Sequence, residues 1–158
     1  MKDNDDDFQK QLAIGTAGED IVYPWLKRNN SFVMDLRNQK HPERKGPRLI
    51  GTEGSAILPD FAVWNKRRTK GNFAVDVKVK SNTFVVNGKR YFSVDDYKFD
   101  DYKKCVQVMQ LDFLQLIFMC DDRLYVYKDS DNKGKHYFGN QWGEYGYLFE
   151  FDSKKIQY

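Results

Sequence analysis

Hydrophobic residues recur with two different periods along this chain. Over residues 8 to 29 the spacing is helical, with Leu12, Val22 and Leu26 near one face and Ile14, Ile21 and Trp25 beside it, which predicts a first helix. Gly15 and Gly18 weaken its middle by about 1 kcal/mol each relative to Ala, a cost that suggests close approach to another backbone. Pro24 is expected to kink or break it. Glu19 does not fit the pattern. Steps of three and four from Leu12 through Thr16 to Val22 and Leu26 carry this acid onto the apolar stripe.

Beyond the helix the period shortens. "SFVMDLR" (31–37) predicts a short strand, and the polar, basic run after it, with Pro42, Gly46, Pro47, Gly51 and Gly54, predicts a long loop. "ILPDFAVWNKRRTKGNFAVDVKVK" (57–80) reads as two strands joined by a basic turn, and Asn87-Gly88 within "TFVVNGKRYFSV" is a strong hairpin signal. Ser93, three residues before Asp96, offers a cap for a second helix over about residues 94–110. "FLQLIFM" and "LYVYK" predict strands around the turn "CDDR", and "YFGNQWGEYGYLFEF" predicts a loop and one last strand. The order is helix, strands, helix, strands, which predicts an α/β class with one mixed central sheet flanked by helices. No strand is followed by a Gly-rich phosphate loop, which disfavours the common nucleotide-binding folds.

Composition sets the scale. With 158 residues, 41% of them hydrophobic and 16% aromatic, the chain suits a single domain over 1–158 with one core. The net charge of +3 permits an anionic partner without requiring one, so the distribution of charge is more informative. Residues 37–48 carry Arg37, Lys40, Arg44, Lys45 and Arg48 against one Glu, and residues 66–70 carry Lys66, Arg67, Arg68 and Lys70. These two runs, with Lys80, are where a polyanion would sit. Cys105 and Cys120 fall in apolar segments and are expected to be buried thiols of a reducing compartment. No apolar run approaches a membrane span, and the opening "MKDNDDDFQKQ" is acidic where a secretory leader is basic and then apolar. A cytoplasmic protein is expected.

The candidate chemistry lies in the strand pair. Alternation puts Phe73, Val75, Val77 and Val79 on one face and Asp76, Lys78 and Lys80 on the other. If the basic turn is centred on Arg68, Asp60 lies opposite Asp76. Like charges directly opposed in a sheet are destabilising, so the pair calls for a cation between the acids or a proton shared by them. A hard divalent ion such as Mg²⁺ takes one or two carboxylates and phosphate oxygens. Lys78, on the face of Asp76, could orient or activate an attacking water and stabilise charge on phosphorus oxygens, and Glu19 could supply a third carboxylate. Plainer readings exist: Asp76 and Lys78 as an ion pair on a solvated strand edge, Pro59-Asp60 as a turn, and the basic runs as solvated loops. His41 and His136 have no metal-ligand spacing, and Tyr137, Phe138 and Trp142 could stack on exposed bases.

At these residues the chain resembles the PD-(D/E)XK nuclease superfamily, with "PD" at Pro59-Asp60 and "DVK" at Asp76 to Lys78. The superfamily places its first Asp at the start of one strand and the (D/E)-x-K in the next antiparallel strand. A Glu often sits in a preceding helix, the place Glu19 would take. The resemblance covers about residues 8–128 and extends to the helix and apolar strand after the motif. It implies a restriction-endonuclease-like fold and Mg²⁺ or Mn²⁺ held by Asp60, Asp76 and the Val77 carbonyl, with help from Glu19. It also implies that Lys78 is the catalytic amine and DNA, more than RNA, the substrate. The compact size is similar to Holliday junction resolvases, many of which act as homodimers. Two other functions fit the same residues: an inactive nucleic-acid-binding module of that fold, and a protein-interaction domain whose acids are ion-paired.

Overall fold

Strand β8 (Phe113–Cys120) is an almost unbroken apolar run, as a strand covered on both faces must be. It pairs in parallel with β5 (Phe73–Val79), and these two form the centre of a five-stranded mixed sheet. On the far side of β5 lie β4 (Phe61–Trp64) and then the edge strand β1 (Phe32–Asp35), both antiparallel to their neighbours. On the far side of β8 lies β9 (Arg123–Lys128), joined to it by a hairpin whose turn residues Asp121 and Asp122 have φ of 50° and 59°. The computed structural model describes residues 2–37, 47–81, 83–139 and 144–157. The protein is mixed α/β, with two α-helices among the described residues.

Helix α1 (Lys2–Asn29) covers one face of this sheet, burying Val22 and Leu26 against Phe61, Val63, Val75 and Ile117. It runs through Pro24 without the break expected there. Pro24 is exposed, while Val22 and Leu26 on either side are fully buried, so packing holds the helix across the missing amide hydrogen bond. Ile14 and Ile21 point to solvent, at 56% and 50% exposed. The side chains of Phe8, Leu12 and Thr16 lie outside the described residues. Gly18 meets the expectation of close approach, since a Cβ there would collide with the Val79 side chain. The contact is to a side chain of β5, whereas Gly15 faces open space.

The opposite face carries α2 (Asp96–Val108) and a four-stranded sheet of β10 (Lys135–Tyr137), β11 (Tyr145–Glu150), β7 (Lys89–Asp95) and β6 (Phe84–Val86). Phe99, Tyr102 and Cys105 of α2 join Phe92, Phe118 and Phe149 in the second core, where Phe92 stacks on Phe118 at 4.6 Å between ring centroids. Asn87 and Gly88 form the expected β6–β7 turn, with φ of 50° and 78°. Other expectations change: the described strands form sheets of five, four and two strands where one sheet is expected, and the single expected core is two clusters on opposite faces of the five-stranded sheet. Ser93 is a buried residue of β7, and Asp95 precedes α2 without a side-chain cap. The expected long loop holds a hairpin, β2 (Arg48–Gly51) with β3 (Gly54–Ile57), while its residues 38–46 lie outside the described residues. The last segment contributes β11 as expected, and the unexpected β10 ends at its first residue, Tyr137. Local patterning missed these short strands because each is completed by a partner that pairs with it.

Among the described residues no helix is long and apolar enough to cross a membrane. Cys105 and Cys120 are free and buried.

Candidate active site

The β4–β5 pairing sets Phe61 against Val75, Ala62 against Ala74 and Val63 against Phe73. Continuing that register by one residue places Asp60 opposite Asp76, as the turn centred on Arg68 predicts. Asp76 is 2% exposed, and Asp60 sits where the chain enters β4. The Val77 amide donates to Asp60 Oδ2 at 2.8 Å, which ties the two acid-bearing segments together. Burial, the Asp76 charge and a hydrogen bond with Glu19 push the Asp60 carboxyl well above the usual carboxylate range, with the Val77 amide opposing them.

Lys78 projects from the same face as Asp76, and its Nζ lies 2.9 Å from Asp76 Oδ2 and 3.2 Å from the Tyr102 hydroxyl, to which it donates. Burial works against its charge, but Asp76 and its other neighbours outweigh burial and hold the amine above the ordinary lysine range. Beside Asp76, Lys78 favours its ammonium form, a donor and a cation. Lys78 is the ion-pair partner of Asp76 Oδ2, and among the described residues no second group is set against that buried oxygen. Two opposed carboxylates with a single ammonium beside them are a donor set with room for a further cation. The residues fit a hard divalent ion at Asp60 and Asp76. Among the described residues no three Asp, Glu, His or Cys side chains stand ready as a metal cluster.

Glu19 reaches the site from α1, in hydrogen-bonding reach of Asp60. Arg37 holds it there, with its NH1 3.7 Å from Glu19 and 2.9 Å from Asp20, while its Nε and NH2 grip Asp35 at 3.0 and 2.8 Å. The guanidinium also lies over the Phe61 ring at 5.0 Å. Three carboxylates thus occupy Arg37, and a phosphate would have to compete with them.

These groups line an open cleft of about 630 Å³, with Glu19, Arg37, Asp60, Asp76, Val77 and Lys78 in its wall. Arg48, Lys98 and Tyr102 also line it. Tyr102 and Lys98 carried no sign in the sequence beyond a place on a helix; their role appears only when α2 packs beside β5. Lys80 lies past the cleft, its amine pushed below the usual range by burial and then by Lys78. Lys66, Arg67, Arg68 and Lys70 are exposed on the turn at the other end of the hairpin, about 20 Å from Asp60 along the strand at roughly 3.3 Å per residue. That turn is not beside the acids. Lys40, Arg44, Lys45, His41 and Trp142 lie outside the described residues. Tyr137 is 51% exposed and packs on Tyr145, while Phe138 packs on Phe84. His136 is a β10 residue set edge-on to Phe138.

No protein-family model matches the chain, and no curated protein does. The functional reading therefore rests on the geometry of this cleft.

Proposed function

We propose that the protein is a divalent-metal-dependent nuclease of restriction-endonuclease-like fold that hydrolyses phosphodiester bonds within DNA. The observation that carries this reading is the opposition of Asp60 and Asp76 at the wall of an open cleft, with Lys78 beside Asp76. The order of elements supports it: a helix bearing Glu19, antiparallel strands bearing the two aspartates, then a helix and an apolar strand parallel to β5.

Asp60, Asp76 and the Val77 carbonyl would hold Mg²⁺ or Mn²⁺, which when bound supplies positive charge to phosphoryl oxygens and makes water a better nucleophile. The chain's own groups do the rest. Glu19, beside Asp60 and 3.7 Å from Arg37, would add a third carboxylate to the ion's surroundings, with Arg37 keeping it in place. Tyr102 accepts a hydrogen bond from Lys78 and sets the direction of its ammonium. That ammonium donates to oxygens that gain charge in the transition state, where a prealigned donor counts most.

The test is incubation of the protein with linear, circular, single-stranded and branched DNA, with Mg²⁺ or with EDTA. Cleavage of circular DNA that needs Mg²⁺ and is lost in Asp76→Asn is the expected result. Binding without cleavage under every condition would replace the reading with an inactive binding module, and absence of both at low salt would leave a protein-interaction domain.

A further inference from the structure

Of the cations at the cleft, Arg37 is bound to three carboxylates, Lys78 lies against Asp76, and Lys98 stands 3.6 Å from Asp95. Arg48 differs. Its Nε is buried without a hydrogen-bond partner, and among the described residues no carboxylate pairs with its guanidinium. The residue lines the same cleft as Asp60 and Asp76. A buried donor on a charged group is expensive to leave unsatisfied, so its retention needs an explanation that the described residues do not provide.

The backbone around Arg48 is fixed from three directions. Arg48 pairs with Ile57 in the β2–β3 hairpin, the Pro47 carbonyl accepts the Leu58 amide at 3.0 Å, and the Ile57 amide donates to Asp101 of α2 at 2.9 Å. The strand partner of Arg48 is thus three residues before Asp60 on a segment clamped to α2. The hairpin fixes where the Arg48 side chain begins, and its planar guanidinium fork matches two oxygens of a phosphate.

We infer that Arg48 is the anion-binding residue of the cleft, taking the non-bridging oxygens of a phosphodiester and holding it beside Asp60 and Asp76. This deepens the nuclease reading and rests on it for the identity of the substrate. The anion site itself requires no divalent ion. It assigns two tasks to two basic regions: Arg48 receives one phosphate at the site, while the exposed turn at 66–70 can touch only phosphates far from it.

Arg48→Met keeps the apolar stem and removes the unsatisfied donor. The experiment is thermal melting of the parent, Arg48→Met, Arg48→Lys and a variant with residues 66–70 neutralised, in EDTA, with and without inorganic phosphate. In phosphate-free buffer Arg48→Met is expected to melt at or above the parent temperature, because among the described residues the arginine has no hydrogen-bond or ion-pair partner to forfeit. Added phosphate should raise the melting temperature of the parent and of the turn variant but not of Arg48→Met. By phosphorus NMR titration Arg48→Met should bind about 10- to 100-fold more weakly, the loss of one charged hydrogen-bonding group, with Arg48→Lys in between. A lowered melting temperature for Arg48→Met in phosphate-free buffer would show a structural partner and overturn the assignment, as would undiminished phosphate binding by that variant. DNA cleavage by the parent in Mg²⁺ is scored separately. Phosphate binding through Arg48 in a protein that cuts no DNA would refute the nuclease and leave the anion site standing.

Discussion

Asp76 and Lys78, two residues apart on one face of β5, bring a carboxylate oxygen and an ammonium nitrogen to 2.9 Å. Asp76 is buried and Asp60 is opposed to it. Lys78 thus serves as counter-ion for one acid, while Asp60, with its raised affinity for a proton, can remain neutral. A divalent ion would replace that arrangement.

The aspartates should therefore show a conflict between stability and function. Asp60→Asn keeps an acceptor for the Val77 amide but removes a half-buried, opposed acid, and should raise the melting temperature by about 2–4 °C in EDTA, on the order of 1 kcal/mol. The same variant should lose both the Mg²⁺-dependent rise in melting temperature and DNA cleavage. Melting scans with and without Mg²⁺ decide this, and a variant that still responds to Mg²⁺ like the parent refutes the ion's placement.

Lys78→Met should behave in the opposite way. It leaves Asp76 buried without its cation, which should cost about 3 kcal/mol in urea unfolding and about a hundredfold in cleavage rate. Tyr102→Phe removes only the acceptor that positions Lys78 and should cost about tenfold in rate and about 1 kcal/mol. Equal losses in the two variants would make Tyr102 more than a positioning residue.

Arg37 governs acid stability through Asp35, whose carboxyl is held below its usual range first by its hydrogen bond to Arg37, against the opposing effect of burial. A depressed folded value means that the pair's contribution is present above about pH 4 and lost as the pH falls through the folded value. Arg37→Met should be less stable than the parent by about 2 kcal/mol at pH 7. The gap should narrow on acidification below pH 4. Urea midpoints from pH 7 to pH 3 measure it, and a constant gap would show that the loss is one of packing over Phe61.

Gly18 and Gly15 should respond to alanine with opposite signs. Gly18→Ala drives a methyl into Val79 and should cost about 1–3 kcal/mol. Gly15→Ala enters open space and should gain about 0.5–1 kcal/mol from helix propensity. Urea denaturation of both variants tests the seating of α1 on β5.

Neutralising Lys66, Arg67, Arg68 and Lys70 should lower the slope of log affinity against log salt by roughly 0.7–0.9 for each phosphate that the turn no longer neutralises, with cleavage at saturating DNA unchanged. The salt series is run with Asp76→Asn to prevent cutting. An unchanged slope makes the turn a solvated loop.

The strand pair and its acids were legible in the sequence. Asp60, Asp76 and Lys78 followed from period-two alternation and a turn centred on Arg68, because register in a hairpin is a local property of the chain. The apolar run of β8 and the Asn87-Gly88 turn were legible for the same reason. What the sequence could not decide was which cations remain free. Arg37 and Arg48 belong to one basic run, yet the fold surrounds Arg37 with acids from α1 and β1 and leaves the buried Nε of the half-buried Arg48 without a partner among the described residues. Tyr102 and Lys98 read only as helical residues until α2 packed beside β5, and the turn at 66–70 read as part of the site until the hairpin put its length between them. Charge is counted along a chain, but pairing and desolvation depend on what distant segments bring alongside, and that is decided by tertiary structure.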